Sequence, residues 1–184
     1  MPVIAPSNHT LSRNMQAHQL FQKISPALSH QIINWMRDDE KNVYKAAVST
    51  LAQQRKLRPV YITQKPREQQ TAFVVDSLKM KLTEGVGENV LQVWLMKGRP
   101  DMLATFLDTL EIPHDGKGGV EGDIPASLDA AKVDAGVKKL LASFPPEEVA
   151  VYLNLFQLQQ AGGWPEISAA LTSHQLLGAP EAAK

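Results

Sequence analysis

The chain has 184 residues, 43% hydrophobic and 21% charged, with 19 basic and 19 acidic residues and no cysteine. That length is enough to bury one core or two small ones, and the composition is that of an ordinary globular chain. Zero net charge sets aside nucleic-acid binding through the whole surface, and the absence of cysteine excludes disulfides, thiolate nucleophiles and zinc–thiolate centres.

In chain order, Met1 to Asn8 lacks the basic start and apolar run of a signal peptide. No apolar stretch approaches the roughly 18 residues of a bilayer span. A cytoplasmic protein without a membrane partner is expected, with disordered tails at 1–8 and 178–184 around a single helical domain, 9–177. Helical periodicity dominates that domain, and Ser25-Pro26, Lys65-Pro66, Pro125-Ala126-Ser127 and Pro145-Pro146-Glu147-Glu148 mark helix starts. The pattern predicts helices over 9–23, 26–37, 40–57, 66–83, 87–97, 100–111, 127–143, 146–161 and 165–176. Val60-Tyr61-Ile62-Thr63 is the best strand candidate, and it is short.

Internal similarity suggests how these helices are grouped. Trp35, Trp94 and Tyr152 lie 59 and then 58 residues apart. Val75-Asp76-Ser77-Leu78 leads to Trp94-Leu95 as Val133-Asp134-Ala135-Gly136 leads to Tyr152-Leu153, with Lys81 over Lys139, Leu82 over Leu140 and Val93 over Val151. Gly98-Arg99-Pro100-Asp101 then corresponds to Gly163-Trp164-Pro165-Glu166. In such a corner glycine takes the left-handed conformation that ends a helix, proline opens the next, and the acid meets its dipole. The first copy diverges: its corner is Asp38-Asp39-Glu40, where an aspartate would cap through its side chain. The expected fold is therefore all-α: a helical bundle or short helical-repeat array of two to three related three-helix units, about 9–58, 66–112 and 125–177.

Two longer connections separate these units. The first, from Leu57 to Pro66, lies in a basic stretch containing Arg55, Lys56, Arg58, Lys65 and Arg67 around Tyr61. The second, from Ile112 to Pro125, lies in an acidic stretch with Glu111, Asp115, Glu121, Asp123, Asp129 and Asp134. Its Asp115-Gly116 pair is a turn signal that admits a small β-hairpin in 112–124. The basic stretch could neutralise phosphates while Tyr61 stacks on a base, but the same residues suit a solvated helix end, and a neutral chain steers no polyanion from a distance. Asp115, Glu121 and Asp123, with His114 adjacent, offer hard oxygen ligands, yet calcium-loop spacing fails because its positions fall on Lys117, Gly119 and Val120. They are retained as acidic contacts, and no metal or cofactor is expected.

No catalytic set emerges. His9, His18, His30, His114 and His174 are scattered, and there is no Gly-x-Ser-x-Gly elbow, HExxH motif or phosphate loop. Trp35, Trp94 and Tyr152 read as core aromatics. Trp164 and Arg99, at equivalent corners, are contact candidates, Trp164 on the condition that it faces solvent. The expectation is a non-enzymatic protein-interaction or scaffold module contacting a protein partner or a second copy. Nucleic-acid or polyanion binding through 53–67 ranks second, and a small-ligand or enzyme site between units third.

Overall fold

The computed structural model describes residues 14–180. The expected tail at 1–8, and 181–184 of the other, lie outside those residues. Gly178 and Ala179 continue the fold: the Asn154 amide donates to Leu177 O (2.8 Å), and Ala179 packs against the core. Among the described residues there are ten α-helices and no strand, so the chain is all-α. They are α1 (Ala17–Lys23), α2 (Pro26–Asp39), α3 (Lys41–Gln54), α4 (Pro59–Thr63), α5 (Arg67–Leu78), α6 (Glu84–Val93), α7 (Pro100–Thr109), α8 (Ala130–Ser143), α9 (Pro146–Gln157) and α10 (Pro165–Ser173). None is long and apolar enough to cross a membrane.

Local chemistry sets the helix starts. Ser25 Oγ accepts the Leu28 N–H at 3.2 Å with Pro26 in the first helical position. Asp129 accepts from Ala131 and Lys132, so α8 opens at Ala130 rather than at 127. The start of α1 is closed from outside: Glu84 takes the Ala17 and His18 N–H groups at 2.7 and 2.9 Å, and the His18 ring as well. A carboxylate at a helix N-terminus satisfies orphan donors and the dipole together.

Helix α2 packs against α3 and α5, α1 against α6, and α7 broadly against α8. Helix α8 also holds α9 and α10, and α6 meets α9. The core includes Trp94 and Tyr152; Trp35 is half-buried against it. Phe106, Tyr152 and Phe156 form three edge-to-face pairs with centroids 5.5 to 6.1 Å apart.

Three helix ends share one geometry. Lys56, Glu111 and Gln175 follow α3, α7 and α10, and among the described residues are the non-glycine residues with positive φ, at 57°, 57° and 54°. In each case the next residue bonds back to the carbonyl five positions earlier: Leu57 to Ala52, Ile112 to Leu107, Leu176 to Leu171, at 2.8 to 2.9 Å. This is the Schellman closure, with an apolar residue after the turn packed on the core.

Several local expectations are corrected. Val60–Thr63 is helical: Pro59 presets the first φ, and buried Ile62 anchors the turn where an extended run would have to pair. The 112–124 excursion forms no strand, only a single antiparallel bridge between His114 and Val120. The corner glycines differ. Gly163 has φ 68°, whereas Gly98 is not left-handed; a Cβ there would lie 3.3 Å from Trp35 and Trp94. No aspartate caps α3: Asp38 pairs with Arg67, and Glu40 with Lys97. Leu82 is 66% exposed while Leu140 is buried, because α5 stops at Leu78 and α8 continues.

Candidate functional site

The first connection leaves the Schellman turn at Lys56, runs through Arg58 and forms α4. Ile62 is fully buried, which turns Val60 and Tyr61 outward at 52% and 55% exposure. Two of the five cations are held internally. Arg67 forms a two-pronged pair with Asp38, and Arg55 lies 5.1 Å above the Phe73 ring and donates to Ser77 Oγ. Among the described residues Lys56, Arg58 and Lys65 have no carboxylate partner, and the Lys65 ammonium lies 4.4 Å over the Tyr61 ring. Lys56, Arg58, Tyr61 and Lys65 thus lie on one connection with exposed Val60, part of the short stretch that was the best strand candidate.

The acidic stretch is largely spent on its own architecture. Glu111 pairs with Lys132, Asp129 caps α8, and Asp134 pairs with Lys138 and His174. Asp115 accepts from Lys117 N–H and Gly119 N–H at 2.8 and 2.9 Å; these bonds, the first foremost, hold its carboxyl below the usual carboxylate range. Glu121 and Asp123 are exposed with no side-chain partner among the described residues. The acid contacts expected here thus reduce to Glu121 and Asp123.

Arg99 and Trp164 are not free contacts. Arg99 makes a bidentate pair with buried Glu148 (Nε–Oε2 2.7 Å, Nη2–Oε1 2.9 Å) and lies over the Trp94 ring. Its positive charge is held more firmly by that pairing, above all by the hydrogen bonds to Glu148. Trp164 is 1% exposed, its ring against Phe156 and its indole N–H donating to Pro125 O at 2.9 Å. The condition placed on Trp164, that it face solvent, is not met: the α9–α10 corner folds its indole inward.

A cavity of about 420 Å³ lies between α6, α7 and α9, with the 118–124 segment as its fourth wall. Leu95, Leu103, Leu107, Leu155 and Phe156 supply apolar surface. The volume is within the range that holds small molecules.

Comparison with protein-family models, curated proteins and solved structures finds no match to this chain.

Tyr152 lines the same cavity and is 4% exposed, and among the described residues its hydroxyl has no hydrogen-bond partner. Burial pushes its ionisation far up, so the phenol remains neutral. The hydroxyl is not among the sealed side-chain atoms left without a partner, so its unused donor is open to whatever occupies the cavity. Sequence reasoning placed Tyr152 in the core correctly but could not see the polar end. The one usable signal was the substitution of a tyrosine where the preceding similar stretch carries tryptophan.

Proposed function

We propose that the chain is a cytoplasmic, non-enzymatic protein-interaction module built of related three-helix units, with α4 as its contact element. The observation carrying this reading is the adjacent exposure of Val60 and Tyr61 on a connection that also carries exposed Lys56 and Arg58, with Lys65 over the Tyr61 ring. Exposed aromatic–aliphatic surface accompanied by cations favours an apolar recess edged with carboxylates. A second copy of this chain fits poorly, since its 111–134 acids are mostly engaged internally. A nucleic acid fits less well than a protein, because Lys65 already covers one face of Tyr61.

The unit organisation rests on the three Schellman closures and on a second recurrence. Ile24 after α1 and Phe144 after α8 each bond back at 2.8 Å to the residue four earlier, adopt extended backbone and lead into Pro26 and Pro146. On this reading the different settings of Leu82, exposed, and Leu140, buried, are a point of divergence between two units.

Photocrosslinking in cells from p-benzoylphenylalanine at Val60 tests the proposal. Discrete protein adducts are expected, lost when Arg58→Glu and Lys65→Glu are combined and retained with Lys139→Glu on α8. Nuclease-sensitive adducts, or adducts indifferent to charge reversal on α4, would overturn it.

A further inference from the structure

The cavity beside Tyr152 is separate from α4. Its lining combines hydrocarbon from Leu103, Leu107 and Phe156 with the amides of Gln92 and Gln159, and a neutral phenol, Tyr152, whose hydroxyl has no partner among the described residues. No cation lines it, and the single charged lining residue is Glu88, exposed on α6. Anions therefore find no counter-charge and meet a carboxylate, while an uncharged molecule pays no ionic desolvation.

The fourth wall is fitted to this space. Gly118 has φ 92°, and a Cβ there would stand 2.4 Å from Leu103 Cβ, so glycine lets the segment lie against α7. Asp115 ties the turn through Lys117 and Gly119, and Val120 and Ile124 are brought to the cavity edge.

We propose that this cavity is a binding site for an uncharged, largely apolar small molecule with one hydrogen-bond acceptor, which takes the Tyr152 hydroxyl proton in a hydrogen bond. The apolar body fills the space between Leu103, Leu107 and Phe156, and the acceptor satisfies the phenol. Binding thus gives the phenol the partner it lacks among the described residues, while its body covers the leucine and phenylalanine surface.

Two neutral fluorescent probes test this in the full chain: prodan, a naphthyl ketone, and N-phenylnaphthylamine, which has no carbonyl. Prodan is expected to bind saturably, one per chain, with blue-shifted emission. Tyr152→Phe keeps the ring and removes only the oxygen; it should weaken prodan roughly fivefold to tenfold while leaving N-phenylnaphthylamine unchanged. Ile124→Trp, at the cavity edge, should weaken both probes without unfolding the protein, with far-UV circular dichroism as the check. The inference is overturned by absence of saturable prodan binding to the wild-type chain. It is overturned equally by prodan affinity that is the same in Tyr152→Phe, or by a loss in that variant that is equal for the two probes.

Discussion

After α3 the chain turns at Lys56, and after α7 it turns at Glu111, with the same positive φ and the same back-bond to a carbonyl five residues earlier. The two connections then go opposite ways. Residues 58–66 contain no glycine, two prolines and one apolar anchor, and wind into a helical turn that projects Val60 and Tyr61. Residues 113–124 contain four glycines and fold back over α7 to wall a cavity. A shared helix end does not dictate the path beyond it. Proline and one buried side chain fix the first by local geometry and a point attachment, whereas glycine allows the second to approach a helix closely.

The largest effect is expected from the point attachment. Ile62→Ala removes the only fully buried side chain of α4 and should cost about 3 kcal/mol in urea denaturation. Val60→Ser and Tyr61→Ser, two and one positions away, should remain within about 0.5 kcal/mol of wild type. Comparable losses at all three positions would mean that the outward pair is part of the packing and not a presented surface.

The second connection should fail through its backbone. Gly118→Ala forces a Cβ into the left-handed region and onto Leu103, and should cost about 2 kcal/mol. Amide exchange should accelerate in 113–124 and stay unchanged in 58–66. Unchanged exchange in 113–124 would show that the segment does not depend on its close approach to α7.

Why these two paths were unequally legible follows from the range of the forces involved. The all-α class was readable because periodicity and start signals such as Ser25-Pro26 act within a single helix. Val60–Thr63 misled because its β-branched residues carry a strand preference that Pro59 and the burial of Ile62 override. Arg99 and Trp164 read as exposed because their partners, Glu148 and Pro125, lie 49 and 39 residues away. The cavity was out of reach for the same reason: α6, α7, α9 and the 118–124 segment contribute to it together, and no single window contains its pattern. In the basic stretch the composition was plain, but only the fold separates Arg55 and Arg67, which are engaged, from Lys56, Arg58 and Lys65.

A smaller effect separates the cavity from the rest of the core. Tyr152→Phe removes a hydroxyl that has no partner among the described residues while keeping its edge-to-face contacts with Phe106 and Phe156. Because that hydroxyl is open to the cavity and not sealed, stability should stay within about 0.5 kcal/mol of wild type, read as an unchanged urea midpoint and slope. A loss of more than about 1 kcal/mol would mean that the phenol is hydrogen-bonded, and would remove the free donor on which the cavity's ligand preference depends.

The smallest expected effect distinguishes the connections by pH. Asp115 accepts from Lys117 and Gly119 N–H, and these bonds, with weaker attraction from His114 and Lys117, hold its folded pKa below the ordinary aspartate value. A depressed carboxylate pKa means that the stabilisation is fully present above the unfolded value of about 4 and is lost as pH falls through the lower folded value. The first connection has no carboxylate in its corresponding bonds: the Gln70 amide donates to Thr63 O and Lys65 O at 3.1 and 2.8 Å. Lowering pH from about 6 to about 3 should therefore shift the Gly119 amide proton and loosen 113–124, while the Tyr61 and Gln64 amides hold their positions. Asp115→Asn should abolish that titration. Parallel shifts in both connections would trace the change to general acid unfolding, leaving the carboxylate without the local role that its two hydrogen bonds imply.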